Sequence, residues 1–397
     1  MDTVYKDSTK RNVALLAACQ ALLFTNNSTL IAINGLAGLA LAPYIGLATL
    51  PVTCWVLGGA IGTMPASLHM KRVGRQRGLS MGTLWGIVGA LICASAIWAQ
   101  SFWLLCFGTL VFGVYNAYGQ YYRFAAADVA SGDFKPVAIS LVLAGGLVGG
   151  ILGPTSSRWT IGLLSPKFMA AYLVLIGFAV LTMLLLRLIR IPTPSVAEQN
   201  ASGRPLREIA AQPKFIVAVL AGAIGYGVMN FLMTSTPIAM QVCGHPYSDA
   251  AFVISSHIIG MFAPSFVTGQ LIKRVGVLPV MFAGVVCNLG AIAIALSGIA
   301  VAQFWFSLVL LGVGWNFLYL GGTTLLTETY RPEERARAQG TNEQAIFIMM
   351  AISSFTSGMT VTTAGWARVN MFALPLVAIV GIALVWFAMK NRRVAAV

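Results

Sequence analysis

Residues 67–74 read Ser-Leu-His-Met-Lys-Arg-Val-Gly, and residues 269–276 read Gly-Gln-Leu-Ile-Lys-Arg-Val-Gly, so the ending Lys-Arg-Val-Gly occurs twice, 202 residues apart. Each copy follows an apolar run long enough to cross a bilayer as a helix, which takes about 20 residues. A weaker match relates Lys135-Pro-Val-Ala to Arg335-Ala-Arg-Ala, again in corresponding positions. Similar segments half a chain apart indicate an internal duplication.

The composition excludes a soluble protein. Of the 397 residues, 58% are hydrophobic and only 9% are charged, with a mean hydropathy of +0.83. A soluble domain carries about 25% charged residues. Apolar runs of about 20 residues recur almost end to end. We therefore predict an all-α membrane protein with twelve transmembrane helices, at 12–34, 43–66, 79–99, 102–124, 137–159, 167–189, 213–236, 249–271, 277–299, 302–326, 342–363 and 368–389.

The longest polar stretch, residues 190–212, lies between the sixth and seventh predicted spans. It contains Pro192, Pro194, Gly203 and Pro205, which is typical of a linker. The sequence thus predicts two six-helix bundles, 1–189 and 213–397, joined by a cytoplasmic linker at 190–212.

The net charge of +14 does not indicate nucleic-acid binding, because the basic residues form short clusters between apolar runs. When both termini are placed in the cytoplasm, all of the 25 Lys and Arg residues except Arg158, Lys167 and Arg368 fall on the cytoplasmic side. Cytoplasmic loops of membrane proteins carry this excess of basic residues. We predict a multi-pass protein of the cell inner membrane with both termini in the cytoplasm.

The whole chain resembles the major facilitator superfamily, through the two Lys-Arg-x-Gly segments that follow spans two and eight. The superfamily usually has Asp where Lys71 and Lys273 stand here. The segment 149–154, Gly-x-x-x-Gly-Pro, resembles the superfamily's antiporter signature, and close packing of small residues explains it equally well. The resemblance implies the major facilitator fold, alternating access between two halves, and a central cavity lined mainly by spans 1, 4, 7 and 10.

Polar and aromatic side chains in those spans are candidates for a cavity or a gate. Membrane asparagines often only bond across helices, and the charged members of the group suit helix-end packing as well as a gate. No carboxylate is predicted in the middle of a span, so His257 is the one candidate for an ionisable group at depth. The candidates are Asn27, Asn116, Arg123, Asp128, Trp315, Asn316 and Tyr319.

Spans seven and eight each carry a pair of soft ligands at positions i and i+4, Met229 with Met233 and His257 with Met261. With a rise of about 1.5 Å per residue, Met229 and His257 both come out about 12 Å below the outer surface. Thioether sulfur and imidazole together favour Cu(I) over hard cations. We call these four residues the methionine–histidine set and predict that they bind a metal ion in transit.

The loop predicted after span seven adds three further candidate ligands, Met240, Cys243 and His245. Their position above the methionine–histidine set suits capture of an ion on the outer side.

The Met-x-x-x-Met and His-x-x-x-Met pairs resemble the motifs of the CcoA-type copper importers, a branch of the same superfamily. The resemblance implies copper import into the bacterial cytoplasm, for copper homeostasis and cytochrome c oxidase assembly, with copper as substrate and no cofactor. The related riboflavin transporters are the alternative, because a flat aromatic cargo suits Trp315, Tyr319, Tyr115 and Tyr226.

Other organic-solute carriers, for a drug or a metal chelate, remain open, as does a non-transporting membrane receptor or assembly factor. We expect no enzyme, since no nucleophile–base pair, nucleotide loop or closed metal site occurs in the sequence. We expect a monomer whose partners are its substrate and the lipid bilayer.

Overall fold

The computed structural model describes residues 2–44, 47–191 and 203–395, and in these ranges every regular element is helical. The α-helices are α1 (Asp2–Leu41), α2 (Leu50–Val73), α3 (Arg75–Trp98), α4 (Phe102–Gly119), α5 (Tyr122–Val129), α6 (Lys135–Thr160), α7 (Met169–Leu188), α8 (Leu206–Ala210), α9 (Pro213–Val242), α10 (Tyr247–Phe262), α11 (Ser265–Val275), α12 (Val277–Leu296), α13 (Val301–Leu326) and α14 (Arg335–Ala395). The predicted all-α fold class is confirmed.

Ten helices in the described ranges are long and apolar enough to cross a membrane. One of them, Pro332–Asn391, has 60 residues and holds two predicted spans. It is interrupted at Gly365, whose φ is 78°. Glycine adopts this backbone angle readily, whereas it is strained for other residues. The helix α2 has 24 residues, about 36 Å, and corresponds to the predicted span 43–66.

The repeated Lys-Arg-Val-Gly segments have the same backbone structure in both copies. Gly74 ends α2 with φ 88° and ψ 161°, and Gly276 ends α11 with φ 90° and ψ 164°. Their amide nitrogens donate to the carbonyl oxygens of Met70 and Ile272, respectively. A positive φ lets the chain leave one helix and start the next at the following residue, which explains why both copies end in glycine.

The chain divides into two compact units, one of Met1–Ser131 with Leu141–Ala201 and one of Gly132–Ser140 with Ser202–Val397. The second unit therefore includes the first turn of α6. Part of the predicted 190–212 linker, residues 192–202, lies outside the described residues.

The described end of the linker is held inside the second unit by a buried carboxylate. Arg204 donates from Nε and Nη2 to the two oxygens of Glu334, at 2.7 and 2.6 Å. The backbone amide of Arg331 donates to the same carboxylate at 2.9 Å. Glu334 is 0% exposed, and these bonds hold its pKa at about 2, well below the usual range. The sequence placed this residue in a cytoplasmic loop and did not predict its burial.

Several helices differ in their bounds from the predicted spans, and two of these differences occur at a proline. Span seven was predicted to end at Thr236, but α9 continues through Pro237 to Val242. Proline inside a membrane helix is tolerated because neighbouring groups satisfy the freed carbonyl. Span eight was predicted as one helix, and it is divided at Pro264 into α10 and α11, although Ala263 and Pro264 keep right-handed helical backbone angles.

Candidate functional site

The candidate site lies in the second unit, where α9 and α10 pack against α13. Glycine brings α10 and α13 into backbone contact, because a Cβ atom on Gly312 would lie 2.7 Å from the carbonyl oxygen of His257. A Cβ on Gly260 would likewise lie 2.7 Å from the carbonyl oxygen of Val309. Side chains beside these glycines are therefore held closely between the helices.

Four rings from three helices form what we call the aromatic cluster: Tyr226, Phe262, Trp315 and Tyr319. Trp315 and Tyr319, at i and i+4 on α13, stack with centroids 4.8 Å apart and planes 18° apart. Tyr226 of α9 meets each of them edge-on at 5.5 Å, and Phe262 of α10 meets Trp315 edge-on at 5.6 Å. Trp315 is 1% exposed, while Tyr226 is partly exposed. The cluster joins the three helices through aromatic faces and edges, and three of its four rings are at most 3% exposed.

His257 of α10 is fully buried, with 0% of its surface exposed. Its Nδ1 atom lies 2.6 Å from the carbonyl oxygen of Leu308 on α13. Since a carbonyl only accepts hydrogen bonds, Nδ1 carries the proton, and in the neutral ring Nε2 is an acceptor. Nε2 has no hydrogen-bond partner among the described residues, and neither has the Nε1 donor of Trp315.

The structure places the methionine–histidine set on two helices that both pack on α13. Met229 is 2% exposed and Met261 is 5% exposed, while Met233 is partly exposed. Within the described ranges, no group of three or more His, Cys, Asp or Glu side chains could hold a metal ion. Binding of an ion here would thus depend on the thioethers together with one imidazole.

Asn316 uses its amide for packing between helices. Its Nδ2 donates to the carbonyl oxygen of Met261 at 2.7 Å and to Ser265 Oγ at 2.6 Å. Its Oδ1 accepts from Thr268 Oγ1 at 2.8 Å. This side chain joins α13 to the break between α10 and α11.

The three residues predicted for outer capture occupy different environments. Met240 is not in a loop as predicted, because α9 extends past it, and its side chain is 0% exposed. Cys243 caps α9 and is partly exposed. The Nε2 atom of His245 lies 2.7 Å from the carbonyl oxygen of Ile299, and its ring meets Phe304 edge-on.

In the first unit, the candidate asparagines form a buried amide cluster between α1 and α4. Asn27 Nδ2 donates to Asn116 Oδ1 at 2.8 Å, and Gln120 Nε2 donates to the same oxygen at 3.1 Å. Asn26 Nδ2 lies 3.5 Å from the Tyr115 hydroxyl. The contacts of Asn26 and Asn27 with α4 are the interhelical bonds that membrane asparagines commonly make.

The predicted gate residues Arg123 and Asp128 also lie in the first unit. Arg123 donates to the carbonyl oxygen of Gln120 at 2.8 Å and stacks its guanidinium on Phe124. Asp128 accepts from Arg75 Nε at 2.9 Å, with both side chains less than 10% exposed. Arg75, which directly follows the first repeated segment, was not among the predicted residues.

A second buried carboxylate was also missed. Glu343 was predicted to open a span, but α14 begins at Arg335, and Glu343 is 0% exposed inside it. Its Oε1 accepts from the neighbouring Asn342 Nδ2 at 2.7 Å. Glu343 is thus a buried carboxylate within α14, whereas the sequence placed it at the start of a span.

The sequence matches the profile of the Major Facilitator Superfamily over residues 16–353, with a second, overlapping match over 265–396. The chain belongs to the major facilitator superfamily. It is thus a multi-pass membrane transporter and not an enzyme, as the sequence predicted.

Relatives within the superfamily sharpen the comparison. The riboflavin transporter RfnT of Brucella anthropi is 40% identical over 380 residues, which cover 95% of each chain. The uncharacterised transporter YddS of Bacillus subtilis is 26% identical and covers 86% of this chain and 82% of its own. The superfamily part of the sequence prediction is confirmed, but RfnT is not a copper importer, and its similarity favours the organic-solute alternative.

Solved structures agree on the fold. The transporter FucP superimposes with a TM-score of 0.80 at 16% identity, over 96% of this chain and 99% of its own. A bacterial homologue of the iron transporter ferroportin gives a TM-score of 0.74 at 11% identity, over 95% and 99%. At sequence identities of 16% and 11%, these similarities show a shared fold alone.

Proposed function

We propose that this major facilitator protein carries a flat aromatic organic solute of the riboflavin type into the bacterial cytoplasm. The observation that carries the proposal is the aromatic cluster, in which Trp315 stacks on Tyr319 and Tyr226 meets both rings edge-on. Aromatic pairs add about 0.5–1.5 kcal/mol each beyond their burial. A planar aromatic solute can make the same stacking and edge-on contacts with these rings when it binds, and the rings can contact one another again when it leaves.

The similarity to RfnT supports the same substrate class. Identity of 40% extends over 95% of both chains, so the candidate site lies inside the matched region. None of the chemistry in the aromatic cluster requires a metal ion.

Transport would occur by alternating access, in which two six-helix halves, 1–189 and 213–397, move relative to each other. The linker at 190–212 would join the two halves. Both termini and the linker would face the cytoplasm, because the basic residues cluster on that side. We propose that the protein resides in the inner membrane and acts as a monomer, without a cofactor.

Uptake of labelled riboflavin tests this function directly. A bacterial strain that can neither make nor import riboflavin should grow on low riboflavin, and accumulate the label, only when it expresses this chain. A Trp315→Ala variant present at normal abundance in the membrane should not support growth. Absence of riboflavin uptake by abundant wild-type protein would contradict the proposal.

Copper import is the second candidate, and the geometry of His257 favours it. Metal-binding histidines commonly donate the other ring N–H to a carbonyl group, as Nδ1 of His257 does to Leu308. Buried thioethers at Met229 and Met261 would add soft ligands. Uptake of radiolabelled copper, measured beside riboflavin uptake in the same strains, separates the two functions.

A further inference from the structure

Two polar side chains join the ends of three helices in the first unit. Gln76, at the start of α3, donates from Nε2 to the carbonyl oxygens of Leu186 and Arg187 at the end of α7, at 3.1 and 3.2 Å. Asn12 of α1 donates from Nδ2 to the carbonyl oxygen of Arg190 at 2.7 Å and accepts from the amide nitrogen of the same residue at 3.2 Å. These bonds hold the ends of α1, α3 and α7 side by side.

The same bonds bring four exposed arginines to one edge of this unit. Arg187 and Arg190 supply the bonded backbone groups. Arg77 comes directly after the bonded glutamine, and Arg11 comes directly before the bonded asparagine. We call these four residues the arginine rim.

The charges of the arginine rim are not compensated by the part of the protein that the structure describes. In the first unit, Arg75 is paired with Asp128 at 2.9 Å. In the second unit, Lys214 is paired with Glu328 at 2.8 Å. Among the described residues, none of the rim arginines has such a carboxylate partner. The rim is therefore a positive site that can accept an anion from outside the protein.

Exposed apolar side chains continue from the rim along α3 and α7. On α3, Met81 and Leu84 follow Arg77 by four and seven residues, spacings that place side chains on the same helix face. On α7, Leu184 precedes Arg187 by three residues and is also exposed. In a membrane-spanning helix such an exposed apolar face is suited to contact with acyl chains. Cations at the end of an apolar face match the division of a lipid into headgroup and chains.

We propose that the arginine rim binds the phosphate group of an anionic phospholipid, whose acyl chains lie along the exposed faces of α3 and α7. Guanidinium groups donate paired hydrogen bonds to phosphate oxygens. Basic residues beside membrane helices attract anionic headgroups. The inference goes beyond the proposed function, because it holds whichever solute is carried.

The internal repeat indicates that this site belongs to the first unit. The first Lys-Arg-Val-Gly segment is followed by Arg-Gln-Arg at 75–77, whereas the second is followed by Val-Leu-Pro at 277–279. The start of α12 therefore has neither the glutamine that bonds to α7 nor the arginine that follows it. The two corners have the same glycine geometry, so this difference lies in the side chains alone.

The experiment titrates purified protein in a neutral detergent with phosphatidylglycerol, with phosphatidylcholine of the same acyl chains, or with inorganic phosphate. Native mass spectrometry counts bound lipid, and thermal unfolding gives the Tm. Phosphatidylglycerol should bind about tenfold more tightly than phosphatidylcholine and raise the Tm, less so at high salt. Equal binding of the two lipids would overturn the inference. An equal rise of the Tm with inorganic phosphate would assign the rim to a soluble anion and overturn the lipid.

Two matched variants locate the binding. Arg77→Gln combined with Arg187→Gln should weaken binding of phosphatidylglycerol about thirtyfold, the usual effect of two basic residues near an anionic headgroup. Arg207→Gln combined with Arg274→Gln removes the same charge from exposed sites in the second unit and should leave binding unchanged. Equal losses in both variants would show an effect of total charge and overturn the site. The comparison of lipids on the wild-type protein stands even if a variant does not fold.

Discussion

Asn316 donates a hydrogen bond to the carbonyl oxygen of Met261, 2.7 Å away. Met261 lies near the end of α10, and Pro264 stands between α10 and α11. A proline has no N–H, and the helix that meets it loses regular backbone bonding. The missing N–H would have bonded the carbonyl oxygen of Gly260, and Asn316 donates to the next carbonyl oxygen, that of Met261, from a neighbouring helix. This side chain therefore stabilises the break in span eight, three residues after Met261.

Replacing Asn316 by Ala should lower the stability of the protein more than its specificity. Three bonds of 2.6–2.8 Å would be lost, and at about 0.6 kcal/mol for each interhelical bond in a membrane the total is about 2 kcal/mol. Thermal unfolding in detergent should show a lower Tm, with an unchanged KM for riboflavin. Gln270→Ala, at an exposed site on α11, is the control. An unchanged Tm would contradict this role.

The stacked pair Trp315 and Tyr319 should carry most of the aromatic contribution to binding. Tyr319→Ala removes a ring that is 3% exposed and stacked at 4.8 Å, and we expect at least a tenfold loss of riboflavin uptake, since stacking and burial are lost together. Tyr319→Phe keeps the ring and should retain uptake. Phe306→Ala, on the same helix but 56% exposed, should have little effect. Normal uptake by Tyr319→Ala would argue against the aromatic cluster as the binding surface.

The methionines of the methionine–histidine set distinguish copper from an organic solute. If they serve only to pack the helices, Met229→Leu, Met233→Leu and Met261→Leu should each cost less than about 1.5 kcal/mol of stability and leave riboflavin uptake intact. Met281→Leu, at a buried site on α12, is a control for the same substitution. Copper uptake that depends on Met233 and His257, in variants of normal abundance, would instead establish the copper function.

The ion pair between Arg204 and Glu334 should stabilise the second unit throughout the neutral range. Glu334 lies in the turn before α14, outside the predicted spans, and its pKa is lowered to about 2 from an ordinary 4.5 by the Arg204 guanidinium. A depressed pKa contributes stability that is complete above pH 4.5 and is lost as the pH falls towards 2. Glu334→Gln should therefore lower the Tm by a constant amount between pH 5 and 8, and by less below pH 4.5. A Tm difference that changes between pH 6 and 8 would point to another titrating group.

The fold was predictable because its signals are local. Apolar runs and the two Lys-Arg-Val-Gly segments depend on neighbouring residues in the chain, and Gly74 and Gly276 confirm the repeat with matching backbone angles. The two prolines show the limit of local signals. The helix continues through Pro237 and breaks at Pro264, and the side chain that stabilises the break, Asn316, is 52 residues away in sequence.

The candidate site was only partly predictable for the same reason. The spacing of Trp315 and Tyr319 indicates that they share a face of α13, but nothing local shows that Tyr226 and Phe262 come from two other helices to meet them. The pair His257 and Met261 was found by spacing, yet the bond from Nδ1 to Leu308 depends on a different helix. Sequence spacing shows which residues share a helix face. Their contacts and hydrogen bonds depend on the residues of the helix that packs against that face.

The last prediction concerns orientation in the membrane. Cys243 follows the last residue of α9 and is partly exposed, whereas Cys19, Cys93 and Cys106 are buried. With both termini in the cytoplasm, the end of α9 faces outward, so a membrane-impermeant thiol reagent added to whole cells should label the protein at Cys243. Cys243→Ser should abolish that labelling without loss of protein, which controls for the partly exposed Cys54 and Cys287. Labelling of Cys243 only in inverted vesicles would reverse the proposed orientation, and the direction of transport would then have to be measured anew.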